Sequence, residues 1–235
     1  MAEYYVRSTG GSDGNTGLSF AQGWATLAYA YATIPSGSTL YICSTESSPF
    51  SLTSIFSVGA SLLYIGANLT DGSPYNGTGK AHIRADAGIT ALVRDDFSYW
   101  TKGNKTLWQD ICFNGNNKAT YSFYLYYASD ISDLLFRGCD FKNAITNGIY
   151  IKSDSTPATF LGGTIGFHSC NFYDNAYGVY TYGASNYLSP ILFNNCAFYG
   201  NSTSNCYFWY DAHVTMFNCR IFRSGGNGID WIWGT

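Results

Sequence analysis

Charge is what this sequence has least of. Only 11% of its 235 residues are Asp, Glu, Lys or Arg, against about 25% in an ordinary globular protein. The 12 basic residues are scattered and the formal net charge is −3. No basic stripe is available to neutralise a phosphate backbone, which argues against nucleic acid as a partner. No apolar run is long enough to span a bilayer, so no membrane insertion is expected. The opening MAEYYVRSTGG has neither a basic leader nor a long apolar segment, the two parts of a secretory signal. Synthesis in the cytoplasm without a signal peptide is therefore expected, any extracellular site being reached by lysis or another route. A disulfide framework is also missing, since seven cysteines is an odd number and five fall within repeats. No C-x-x-C pair of the kind zinc uses is present either, so no metal site is expected.

Aromatic residues and glycine are abundant instead. Aromatics make up 18% of the chain, with 21 tyrosines, and there are 26 glycines. Tyr and Phe suit a pleated surface and Gly supplies turns, so the composition favours short strands over helices. A repeat confirms that preference. Ile111, Cys139, Cys170, Cys196 and Cys219 form one column, with spacings of 28, 31, 26 and 23 residues. Three residues earlier stand Trp108, Phe136, Phe167, Phe193 and Met216, and two residues later Phe113, Phe141, Phe172, Phe198 and Ile221. Asn116, Asn175 and Asn201 follow, with Ala144 and Ser224 as departures.

A period in the twenties built from strand-like pieces is the mark of a solenoid. A separation of two places the cysteine and the later aromatic on one strand face, whereas a separation of three demands a bend. A further strand follows in each row (SFYLY, GIYIK, GVYTY, CYFWY, GIDWI), and the unequal spacing falls in the turns. Helical repeats need long amphipathic runs at a 3.6 period, and residues 100–235 lack them. The pattern predicts a parallel β-helix of about eight or nine rungs. Earlier rungs are signalled more weakly by TLYIC (39–43), LLYIG (62–66), AHIRA (81–85) and ALVRD (91–95). In GWATLAYAYATIPSG, Trp24, Leu27, Ala28, Tyr31 and Ile34 fall on one helical face before Pro35 and Gly37. Residues 1–37 are accordingly read as an N-terminal cap of strand and helix, and residues 38–235 as one solenoid.

The opening YYVRSTGGSDGNTG, the ATL that begins the helix and the GSTLYIC strand, together with CNFYDN and CAFYGN, carry a resemblance. They resemble right-handed parallel β-helix proteins of the pectate-lyase-like superfamily, including bacteriophage tailspike and virion β-helix proteins. The right-handedness is what the resemblance implies. It leaves function open, because that superfamily holds polysaccharide lyases, glycoside hydrolases and non-catalytic virion proteins.

The inward columns are expected to stack at roughly 4.8 Å per rung, with the cysteines as small apolar fillers. Function then rests on outward residues. On the last strand of each row these are Tyr124, Tyr126, Tyr150, Lys152, Tyr180 and Tyr182, followed by either Tyr207 and Trp209 or Phe208 and Tyr210. That aromatic face fits a glycan platform or a subunit interface. Flanking the bend, Arg137, Asp140 and His168 fall within about one rung, with Asp110 one rung earlier; this is the catalytic cluster an enzyme would use. A lyase would take its base from His168 or Arg137, with calcium on Asp side chains. A hydrolase would need two carboxylates, drawn from Asp110, Asp140, Asp174 and Asp211. His82 and His213 read as structural or surface residues, and DGNTG (13–17) as a cap turn.

The final GNGIDWIWGT leaves Trp231, Ile232 and Trp233 at the end of the stack, to be covered either by a continuation of the chain or, as a contact surface, by another chain. The expectation is a structural or adhesive β-helix of a virion or similar assembly: a tailspike, fibre or capsid decoration. It would be a homotrimer joined to other assembly proteins and able to bind surface polysaccharide. The alternative is a polysaccharide lyase or glycoside hydrolase acting on an acidic polysaccharide.

Overall fold

The computed structural model of the protein describes residues 2–58, 62–96, 105–127, 133–153, 163–183, 190–209 and 213–232. Its strands form three sheets, all paired in parallel. Sheet 1 contains Glu3–Arg7, Thr39–Cys43, Leu63–Ala67, Thr106–Gln109, Leu134–Arg137, Ile165–His168, Ile191–Asn194 and Val214–Phe217. Sheet 2 contains Phe50–Leu52, Ala81–Ala85, Ile111–Asn114, Asp140–Lys142, Asn171–Tyr173, Ala197–Tyr199 and Arg220–Phe222. Sheet 3 contains Phe56–Val58, Ile89–Asp96, Ala119–Tyr127, Asn147–Ser153, Tyr177–Gly183, Ser204–Trp209 and Ile229–Ile232. The chain visits sheets 1, 2 and 3 in turn and repeats, which is a parallel β-helix.

The columns read from sequence are the ladders of this solenoid. Phe136 pairs with Trp108 and Phe167, and Phe167 with Phe193. The rings of Phe136 and Phe167 stack at 5.0 Å and 4°, those of Phe167 and Phe193 at 4.9 Å and 10°. A second ladder runs through Phe113, Phe141, Phe172 and Phe198, with centroids 4.8–5.2 Å apart. Rung spacing and ring-stacking distance coincide, so each phenylalanine is buried against a copy of itself. Both ladders extend into the first hundred residues, as Leu40, Tyr64 and Trp108 in sheet 1 and as Phe50, Ile83 and Phe113 in sheet 2. Of the early segments, 39–43 and 63–67 open rungs, whereas 81–85 and 89–96 are the second and third strands of one rung.

All seven cysteines are free. Asn171, Ala197 and Arg220 donate backbone N–H bonds to the carbonyls of Cys139, Cys170 and Cys196, one rung back. Each thiol donates to the carbonyl of the leading aromatic one rung back: Cys139 to Trp108 at 3.4 Å, Cys170 to Phe136 at 3.6 Å, Cys196 to Phe167 at 3.4 Å. The cysteines therefore line up along one axis, as small groups whose weak donor closes a contact over the bend. Among the described inward positions of sheet 3, Asp95 and Thr181 break the apolar rule. Asp95 is fully buried between Val58 and Leu125.

The bend between sheets 1 and 2 explains the separation of three. Asp110, Gly138, Ser169, Asn195 and Asn218 occupy it, all with φ between 50° and 62°. This left-handed geometry suits Gly, Asn and Asp. At Gly138 a side chain is also excluded by space, because a Cβ would lie 2.4 Å from Asp110 Oδ1.

Between sheets 2 and 3 the asparagine column is an amide ladder. Asn175 Nδ2 donates to Asn201 Oδ1 (3.1 Å) and to the Phe141 carbonyl (3.1 Å), while Asn175 Oδ1 accepts from the Ala144 N–H (2.9 Å). Asn201 Nδ2 donates to the Phe172 carbonyl (3.0 Å) and to Asn205 Oδ1 (2.7 Å). Asn116, farther along, donates to the Ala85 carbonyl at 2.9 Å.

The N-terminal helix departs in one respect from the face read in the sequence. The helix is Leu27–Thr33, and it buries Leu27 and Ala30, with Ala28 exposed. It is too short to carry the longer face read from its period, and Trp24 is instead fixed by stacking on Tyr4 at 5.3 Å. Asp13 of the DGNTG turn accepts from the Ala25 and Thr26 N–H groups and from the Thr26 hydroxyl, so that turn fastens the start of the helix. No helix among the described residues is long and apolar enough to cross a membrane.

Breaking the amide ladder should cost more than removing one surface hydrogen bond. Asn201→Ala leaves the Asn175 amide groups, the Phe172 carbonyl and Asn205 short of partners inside the turn. A loss of about 2–3 kcal/mol in chemical denaturation is expected. Asn116→Ala, which removes fewer contacts, should cost less.

Candidate functional site

The residues nominated as catalytic fall in three settings. Arg137 and His168 are register partners on the outer face of sheet 1, in a column that runs from Gln109 to Asn194. Asp140 begins a strand of sheet 2, round the bend. Its Oδ1 accepts from Lys80 Nζ at 2.5 Å and from Asn171 Nδ2 at 2.7 Å. Asp110 sits in the bend, 3% exposed, where Oδ2 accepts from the Gly77 N–H (3.0 Å) and Gln109 Nε2 (3.2 Å). Asp174 occupies the turn after sheet 2 with φ 55°. Asp211 lies outside the described residues, as does Tyr210.

These acids are not a donor set for the calcium that a lyase reading implies. Asp140 is tied to a lysine and an amide, and Asp110 is enclosed by backbone in the bend. Among the described residues no grouping of three or more His, Cys, Asp or Glu side chains is suited to a metal ion.

The outward column Cys112, Asp140 and Asn171 is legible in the sequence, but His82, Lys80, Lys142 and Glu46, which join it on the outer face of sheet 2, are not. His82, Cys112, Asp140 and Asn171 are successive register partners there. In the neighbouring column Lys142 pairs with Tyr173, reaches Glu46 at 3.3 Å and lies over the Tyr173 ring at 5.8 Å. The Lys142 hydrogen bond draws the Glu46 carboxyl below its ordinary range. Burial pushes the His82 imidazole down, favouring the neutral ring, and pushes the Cys112 thiol up to about 12. These residues tie rungs together by charge. Their one sequence signal was parity: His82 is the outward residue of a strand.

The outer face of sheet 3 has a different character. Arg94, Tyr124, Tyr150, Tyr180, Tyr207 and Asp230 form one in-register column. Tyr126, Lys152 and Tyr182 form the next. The fourth row resolves to Tyr207 and Trp209 outward, with Cys206 and Phe208 buried. Tyr124 stacks on Tyr150 at 5.3 Å and 13°, and Tyr180 on Tyr207 at 4.6 Å and 7°. Between these pairs Tyr150 meets Tyr180 edge-on at 71°. Tyr121 and Tyr177, absent from the sequence reading, widen the face at 4.8 Å from Tyr150 and 5.6 Å from Tyr207. Arg94 lies over Tyr124 and Tyr126, and Lys152 over Tyr126. At the end of the stack Trp231 is 39% exposed and packs edge-on against Phe208 at 5.4 Å, while Trp233 lies outside the described residues.

Packing on this face shifts the phenols. Burial first, and then the neighbouring Tyr207, push Tyr180 up to about 12; Tyr150 is raised further, for the same leading reason. A folded-state value above the ordinary one of about 10 means that the fold favours the neutral phenol. That contribution is intact below about pH 10 and is lost as pH rises through about 12. Alkaline unfolding followed by circular dichroism should therefore move to higher pH in Tyr180→Phe, which keeps the ring and removes the titrating hydroxyl.

Comparison with known proteins bears on the fold. Residues 122–232, a little under half of the chain, match the family model described as right handed beta helix region. A rhamnogalacturonan lyase of known structure aligns over 100% of this chain at 16% identity, with a TM-score of 0.39. The chain spans 62% of that protein's length, and a likeness at this level carries no functional weight. No curated protein sequence matches the chain. The three parallel sheets and the matched segment agree on the architecture, a right-handed parallel β-helix.

Proposed function

We propose that the protein is a rigid adhesive rod that binds carbohydrate lengthwise along the outer face of sheet 3, as a structural part of a virion or similar extracellular assembly. The observation that carries this reading is the unbroken outward column Tyr124, Tyr150, Tyr180 and Tyr207, flanked by Tyr126, Tyr182 and Trp209. A sugar ring offers C–H faces and hydroxyls. A stacked tyrosine surface offers apolar ring edges and hydroxyls in the same combination. A polymer lying along the solenoid axis meets the same chemistry at every rung, which suits a chain ligand better than a single small molecule.

The nominated acids support binding without bond cleavage. Hydrolysis requires one carboxyl to protonate the leaving oxygen and a second to act as nucleophile or base. Asp140 and Asp110 are instead committed to Lys80 and to the bend. Low charge and a core of stacked rings fit a part selected for stiffness.

A panel of neutral and acidic polysaccharides, titrated by calorimetry, tests the reading. Binding is expected, with Tyr150→Ala and Tyr180→Ala each weakening it about tenfold, the equivalent of one lost ring contact of ~1.4 kcal/mol. Unsaturated or reducing products would replace the adhesive reading with the lyase or hydrolase one. Binding that ignores both substitutions would remove sheet 3 as the site.

A further inference from the structure

The outer face of sheet 1 has no part in the reading above, and its composition is unlike that of the other two faces. By register Leu63, Leu107, Leu135, Gly166 and Leu192 form one outward column. Four aliphatic side chains on consecutive rungs, interrupted by one glycine, line an open groove of about 340 Å³. Its rim carries the Lys105–Asp133 ion pair at 3.5 Å on one side and His168 on the other. Gly166 sets the shape, since a Cβ there would come within 3.0 Å of Leu135 Cδ1.

We propose that this face joins copies of the same chain, side by side and in register, around an axis parallel to the solenoid. Charge placement selects the occupant. Asp133, Leu135 and Arg137 share one parity and so point outward together from one rung. Asp133 is 49% exposed at the start of the strand; Arg137, at its end, is exposed and has no ion pair among the described residues. Rotation about an axis parallel to the solenoid keeps rung order and brings the start of each strand beside the end of the same strand in the next copy. Asp133 of one copy then faces Arg137 of its neighbour, whether two or three copies close the ring. The leucine columns meet in the middle. A reversed pairing centred on the same rung sets Arg137 against Arg137, so the charges also choose the orientation.

The face is small. Five rungs at ~4.8 Å by one short strand give roughly 300 Å² in projection, well below the ~800 Å² per partner of a stable interface. Association in solution is therefore weak. It becomes strong only where copies are already held close, as on the surface of a particle.

Sedimentation equilibrium of the full chain, from about 1 µM to about 500 µM, tests this over the range where weak contacts of this size dissociate. A reversible dimer or trimer is expected, abolished by Leu135→Glu with unchanged circular dichroism. Asp133→Arg and Arg137→Asp should each weaken it about tenfold, and the double variant should restore it, because the opposed pair is re-formed with its signs exchanged. Both charge variants lie at exposed positions, so they report even if Leu135→Glu fails to fold. A monomer throughout, or singles that weaken without rescue in the double variant, would overturn the proposal. So would self-association lost in Tyr150→Ala and Tyr180→Ala but kept in the sheet 1 variants.

Discussion

Every part of this molecule depends on one constraint: a residue must pack against its counterpart one coil away, at the spacing fixed by the parallel hydrogen-bond ladder. That spacing is about 4.8 Å, close to the distance at which two aromatic rings stack, and the core exploits the coincidence. Phe141, Phe172 and Phe198 lie 4.9 and 4.8 Å apart with planes within 6°. A phenylalanine at such a position is buried by its own repeats, each burial being worth about 1.5–3 kcal/mol. The arrangement holds only if every coil returns to the same place. The bends are therefore as constrained as the core, which is why left-handed residues recur between sheets 1 and 2 and amides recur between sheets 2 and 3.

The same constraint writes itself on the outside. Outward columns are in register too, so each face accumulates one chemistry down its length. Sheet 3 gathers phenols and sheet 1 gathers leucines, while on sheet 2 Asp140 and Lys142 pair with Lys80 and Glu46, which reach them from outside the repeat rows. Such a molecule offers lines rather than pockets. That geometry favours polymer ligands and lateral contacts with similar rods over the converging groups that chemistry on a small substrate needs.

Legibility in the sequence followed this logic. The later five coils could be read because their columns hold distinctive residues, Cys and Phe, at spacings that vary by only a few positions. The earlier coils obey the same ladder but fill it with Leu40 and Tyr64, separated by turns of very different length, so the repeat fades although the fold does not. Tyr124, Tyr150 and Tyr180 were legible as outward by simple alternation. Asp110 could not be placed that way. It sits in the bend itself, where alternation is interrupted, and only its left-handed backbone reveals that its carboxylate is engaged there. Lys80 and Glu46 were invisible for a related reason. They reach Asp140 and Lys142 across 60 and 96 residues of sequence, from outside the repeat rows.

The outer faces of sheets 3 and 1 differ in a way that bears on what each can touch. Tyrosines stacked on one another in sheet 3 present edges and hydroxyls outward, because their ring faces are turned toward neighbouring rungs. A partner that brings hydroxyls of its own loses little when it displaces water from such a surface, whereas an apolar protein surface would leave the phenols short of partners. Leucines in sheet 1 have no polar group to leave unsatisfied, so they gain from any dry contact. Where they are interrupted, at Gly166, the Leu135 side chain leans over the glycine, 3.0 Å from where a Cβ would stand. The proposed glycan contact and the proposed contact between copies are therefore compatible, because they lie on different sheets and draw on different physics.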